Sequence, residues 1–86
     1  MSAVVITVKL FASLARHLPA GARENEATLT AAEGSSVLDV IDQLGLPHAH
    51  CHLVLLDGVF VPRDVWATSP VSAGQVLALW PMVAGG

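Results

Sequence analysis

The chain has 86 residues, a formal net charge of −3 and a pI near 5.6, with 53% hydrophobic and only 13% charged residues. That length suits one domain; its four Lys and Arg side chains cannot form the basic stripe that nucleic acid needs, and no run approaches the about 18 apolar residues of a membrane span. Cys51 is the single cysteine, so an internal disulfide is excluded and a reducing, cytoplasmic setting is expected.

The first element is a strand over residues 3–10, "AVVITVKL". Val4, Ile6, Val8 and Leu10 fall on one face, and Val5, Thr7 and Lys9 on the other. Lys9 interrupts the apolar run and no positive n-region precedes it, so no signal peptide is expected. "FASLARHL" places Phe11, Leu14, Ala15 and Leu18 at helical spacing, which predicts a short helix ended by Pro19 and Gly21. Residues 20–25 read as a loop. "EATLTAA" (26–32) alternates Ala27, Leu29 and Ala31 with Glu26, Thr28 and Thr30, the pattern of a second strand.

"SSVLDVIDQLGLP" (35–47) predicts the main helix. Ser36 and Asp39 match a capping box. Val37, Val40, Ile41 and Leu44 form one stripe, Gly45 suits the left-handed residue after the helix, and Pro47 forbids continuation. One helix is then expected to cover the whole sheet. "HAHCH" (48–52) is read as extended, with His48, His50 and His52 on one side. Three imidazoles on one strand fall short of the usual four ligands of structural zinc, so no functional metal site is expected. Cys51 is expected to be a partly buried thiol in that strand.

"LVLLDGVFV" (53–61) predicts a hairpin turning at Asp57-Gly58. Residues 64–74 read as irregular, with Trp66 in the core. "QVLALW" (75–80) is the last strand. The fold class is therefore α+β, a mixed sheet of four to five strands on one main helix, with a short extra helix after strand 1. The apolar surplus marks either a partner surface or simply a small, alanine-rich and valine-rich composition.

The final stretch is "LALWPMVAGG". Pro81 ends strand pairing, so residues 1–80 form the domain and 81–86 a flexible Gly-Gly tail. Six extended residues reach about 20 Å, and Gly85-Gly86, lacking Cβ atoms, suit a channel too narrow for larger side chains. Trp80 is read as an interface anchor beside the tail. The glycines elsewhere make neither a phosphate loop nor a dinucleotide fingerprint. The chain is therefore not expected to be an enzyme or to bind a cofactor of its own.

The capped helix "GSSVLDVIDQLGLP", the hairpin "VLLDGVFV", the opening "ITVKLFASLARHLP" and the terminal "PMVAGG" together resemble the MoaD/ThiS family of ubiquitin-like, β-grasp sulfur carriers. The resemblance implies that an E1-like adenylating enzyme supplies ATP and activates the Gly86 carboxylate. A persulfide sulfur donor then turns it into a thiocarboxylate for cofactor biosynthesis, as in the small subunit of molybdopterin synthase beside its large subunit. Gly85, Ala84, Val83, Met82, Pro81, Trp80 and Phe60 would contact partners. Pro81-Met82 stands where molybdopterin synthase small subunits often carry two prolines, and Asp57 replaces the usual turn asparagine. Thiamine, cysteine and other pathways therefore stay open. A ubiquitin-like modifier joined to target lysines through Gly86 is the alternative; a metal-binding or structural module is a third.

Overall fold

A computed structural model describes residues 2–82. Strand β1 (Ala3–Leu10) leads into a 3-10 helix over Ala12–His17. Strand β2 (Glu26–Ala32), helix α1 (Val37–Gln43) and a short 3-10 turn at His48–His50 follow. Strands β3 (Leu53–Leu56) and β4 (Val59–Phe60) form the hairpin, a 3-10 helix spans Arg63–Thr68, and β5 (Val76–Trp80) closes the order.

The sheet runs β2-β1-β5-β3-β4. β1 pairs antiparallel with β2 and parallel with β5, and β5 pairs antiparallel with β3. The first and last strands thus lie side by side at the centre, which is the β-grasp arrangement. The alternation of β1 has the expected consequence. Ile6, Val8 and Leu10 are buried with Leu77 and Leu79 of β5 and Val54 of β3, while Val5 faces out. The edges are protected. β4 has only two residues, and on β2 the Thr30 carbonyl accepts from Gln43 Nε2 at 2.9 Å.

Helix α1 begins where the capping box requires. The Asp39 N–H donates to Ser36 Oγ at 3.1 Å, and the Ser36 N–H donates to Asp39 Oδ2 at 2.9 Å. Such a cap stabilises a helix end by about 1 kcal/mol. At the other end Gly45 takes φ +72°. Its N–H donates to the Asp42 carbonyl and the Leu46 N–H to the Ile41 carbonyl, a Schellman ending. Leu46 and Ile41 are both buried in the core, the apolar contact that accompanies this motif.

Three expectations need correction. A seven-residue helix is about 10 Å long, too short to cover the sheet alone. Leu14, Leu46, Trp66 and Val71 complete the core around it. The stretch expected to be irregular contains the 63–68 3-10 helix, held because Trp66 is buried and its Nε1 donates to the Val61 carbonyl at 3.1 Å. The residues "HAHCH" are not extended. Pro47 opens a 3-10 turn there, and the Arg63 guanidinium donates to the His48 and Cys51 carbonyls at 2.9 and 3.2 Å. The three imidazoles therefore do not share a strand face. His48 turns to the Asp42 carboxylate, and Cys51 is buried ahead of β3 rather than within it.

Candidate functional site

The end of β5 carries the residues of interest, and neighbours on both sides hold it. The Phe11 N–H donates to the Leu79 carbonyl at 3.2 Å, and the His52 N–H to the Trp80 carbonyl at 2.9 Å. Strand pairing stops at Trp80, as Pro81 requires. Trp80 is half-buried, and its ring stacks on Phe11 with centroids 4.5 Å apart and planes 5° from parallel. Phe11 was expected on one apolar stripe with Leu14 and Leu18. It instead sits in extended backbone ahead of the 3-10 helix, and neither it nor Trp80 belongs to the core cluster.

Cross-strand register places Trp80 opposite Leu53, and Leu55 opposite both Ala78 and Phe60. These residues share the sheet face turned away from α1, since paired residues point the same way. Leu53 is 37% exposed, Phe60 55% and Met82 68%. An apolar strip thus runs along the outer face of β4, β3 and β5 toward the last described residues. Beside it Lys9, opposite Ala78 and Glu26, places a charge at the strip's border.

Of the residues expected to contact partners, Trp80 and Phe60 lie on this face, Pro81 is half-buried and Met82 is exposed. Val83, Ala84, Gly85 and Gly86 lie outside the described residues. The structure adds Leu53 and Phe11 to this region. Leu53 could have been found by its strand parity with Leu55, whereas Phe11 carried a misleading helical spacing.

Elsewhere the titratable groups are spread out. Among the described residues no three of His, Cys, Asp and Glu gather as metal ligands. Burial pushes the Cys51 thiol above its ordinary value, with the Arg63 guanidinium opposing. Its Sγ faces the Pro47 carbonyl at 3.5 Å. A buried thiol of this kind is a weak nucleophile. Among the described residues no helix is long and apolar enough to cross a membrane.

Comparison with known proteins follows this geometry. The ThiS family model matches residues 8–86. No match was found among curated proteins. Among solved structures, SAMP1 from Haloferax volcanii is 26% identical with a TM-score of 0.67, the match covering 95% of this chain and 99% of that one. The thiamine biosynthesis protein ThiS from Geobacter metallireducens is 18% identical with a TM-score of 0.60, over 93% and 99% of the two chains. A chain of the complex of subunits 1 and 2 of molybdopterin-converting factor from Helicobacter pylori is 16% identical with a TM-score of 0.59, over 96% and 100%.

Proposed function

The chain belongs to the ThiS family, and on that premise we propose that it is a sulfur carrier whose Gly86 carboxyl is the reacting group. The observation that carries this reading is the family match running through Gly86, downstream of a strand end held at Leu79 and Trp80. A carboxylate is a poor acyl electrophile, because its oxygen is a poor leaving group. An E1-like partner would join that oxygen to the α-phosphate of ATP and release pyrophosphate. A persulfide would then attack the acyl carbon with AMP as leaving group. Cleavage of the resulting S–S bond by a thiol would leave the thiocarboxylate.

In this scheme the chain supplies the carboxyl and a docking face and turns nothing over itself. ATP sits in the partner's pocket. The outer strip of Leu53, Phe60, Trp80 and Met82 suits docking, since exposed aromatic and methionine side chains are favoured at interfaces. The same face would serve either a cytoplasmic activating enzyme or a large synthase subunit that accepts the sulfur.

A second reading is favoured by the 26% identity to SAMP1 over nearly the full length of both chains. Here the adenylated Gly86 would be captured by a lysine amine of a target protein. Mass spectrometry of the intact protein purified from its source cells, and of a tryptic digest of the other proteins of those cells, separates the two. Replacement of one terminal oxygen by sulfur supports the carrier, and the tryptic remnant 64–86, which follows the last basic residue Arg63, on lysines of other proteins supports the modifier. A terminus always found unmodified, even with ATP, activating enzyme and persulfide donor present, would overturn both.

A further inference from the structure

We infer that Met82 is a reversible oxidation site: a peroxide converts its thioether to the sulfoxide, and the oxidised carrier is recognised poorly by its activating partner. The inference rests on the carrier reading and adds a modification that the reading does not require.

Sulfur occurs in this chain only at Met1, Cys51 and Met82. Met1 lies outside the described residues, and the other two have opposite surroundings. Cys51 is 1% exposed, its Sγ faces the Pro47 carbonyl, and burial raises its thiol above the ordinary value. It therefore offers an oxidant little thiolate and little access. Met82 is 68% exposed, and among the described large apolar side chains only Val59 matches it. Met82 belongs neither to the core cluster nor to the partly buried residues packed against it. An oxygen added to its sulfur therefore leaves the domain folded.

Position gives that oxygen its consequence. Met82 follows Pro81 at the end of the apolar strip and stands four positions before Gly86. Methionine is flexible and polarisable, and its apolar end fills gaps in a partner surface. Oxidation turns that end into a polar, chiral group. A surface shaped for the thioether then buries an oxygen with no donor to meet it, which weakens docking. The step balances with hydrogen peroxide as the oxidant. One peroxide oxygen bonds to sulfur, the O–O bond breaks, and the other oxygen leaves as water. Sulfur gives up two electrons and the peroxide takes them. A methionine sulfoxide reductase reverses the change with a dithiol, which becomes a disulfide as the oxygen leaves as water.

The test is ATP–pyrophosphate exchange catalysed by the E1-like enzyme of the same organism, with the full-length carrier as varied substrate before and after hydrogen peroxide. Catalase removes the peroxide before the enzyme is added. Tryptic mapping locates the modification, since Met82 lies in peptide 64–86 and Met1 in peptide 1–9. One added oxygen is expected on 64–86, placed by fragmentation on Met82 rather than on Trp66 or Trp80. KM for the oxidised carrier is expected to rise about tenfold with kcat within about twofold, and the reductase to restore it. Met82→Leu, which cannot form a sulfoxide, is compared with itself; peroxide should move its KM by less than about twofold. Met82→Gln, which carries a polar amide, should resemble the oxidised wild type without peroxide. Unchanged KM in the oxidised wild type would overturn the inference, as would an equal rise in Met82→Leu or a 64–86 peptide that takes up no oxygen at Met82. Absence of exchange with the untreated wild type would overturn the carrier reading itself, and the inference with it.

Discussion

Asp57 and Val76 are joined by two hydrogen bonds. The Asp57 N–H donates to the Val76 carbonyl at 2.8 Å, and the Val76 N–H donates to Asp57 Oδ1, also at 2.8 Å. The hairpin turn is thereby tied to the start of β5, the strand whose other end precedes the terminal segment. Asp57 also holds φ +49°, with Gly58 at +81°, as a type I′ turn requires.

Replacing Asp57 therefore tests both roles. Asp57→Asn keeps the acceptor oxygen and tolerates the left-handed backbone, so its effect should stay within about 0.5 kcal/mol. Asp57→Ala loses an exposed hydrogen bond and places a disfavoured residue at positive φ, for a combined cost of about 2 kcal/mol. Urea unfolding of the two variants checks this; equal stability would show that the clasp contributes nothing.

Arg63 is the second such fastener. Its guanidinium reaches the His48 and Cys51 carbonyls and lies 4.5 Å from the centre of the Trp66 ring. Arg63→Ala should cost about 1–2 kcal/mol in chemical denaturation. Arg63→Lys should recover little, because both carbonyls are met by the one nitrogen Nη2 at the end of the longer side chain while the planar guanidinium covers the ring, and the shorter, non-planar ammonium cannot do both. Full recovery by lysine would contradict this geometry.

The buried Cys51 predicts a pH dependence. Burial raises its folded-state pKa above the ordinary 9.0. From about that pH upward the unfolded chain loses the thiol proton before the folded one does, so unfolding is favoured as pH rises. The stabilisation is complete below pH 9.0 and is lost as the pH passes through the higher folded value. Denaturation between pH 7 and 11 should show wild-type stability falling more steeply in alkali than that of Cys51→Ala. Parallel curves would contradict it.

Ala12 offers the opposite sign. Glycine at φ +52° removes the left-handed penalty but increases the freedom of the unfolded chain. Ala12→Gly should be net stabilising by about 0.5–1 kcal/mol, read as a shift of the urea midpoint. A destabilised variant would show that the turn carries no strain.

Much of this fold was legible in the chain, for identifiable reasons. β1 and β2 have the predicted bounds because their alternation is uninterrupted. Helix α1 announced itself through Ser36, Asp39 and Gly45, whose local hydrogen bonds depend on near neighbours alone. The failures share one cause, control by residues far along the chain. "HAHCH" looked extended, but Arg63 supplies donors to its carbonyls from a later segment. Phe11 had helical spacing to Leu14, yet the parallel pairing of β1 with β5 brings Trp80 beneath its ring. The Asp57 turn was readable, but its clasp on Val76 was not, because it depends on strand register. The Gly86 chemistry lies outside the described residues and rests on the sequence and the family match.

The central claim is that the Gly86 carboxyl is activated by a partner while the domain remains a passive support. Among the described residues the core runs from Ile6 to Leu79, and deleting Gly86 is expected to change stability by no more than about 0.5 kcal/mol. The most direct measurement is ATP–pyrophosphate exchange by the cognate activating enzyme with the full-length chain and with the chain lacking Gly86. Robust exchange with the first and background with the second, at equal thermal stability, is the predicted result. Equal exchange with both would contradict the account.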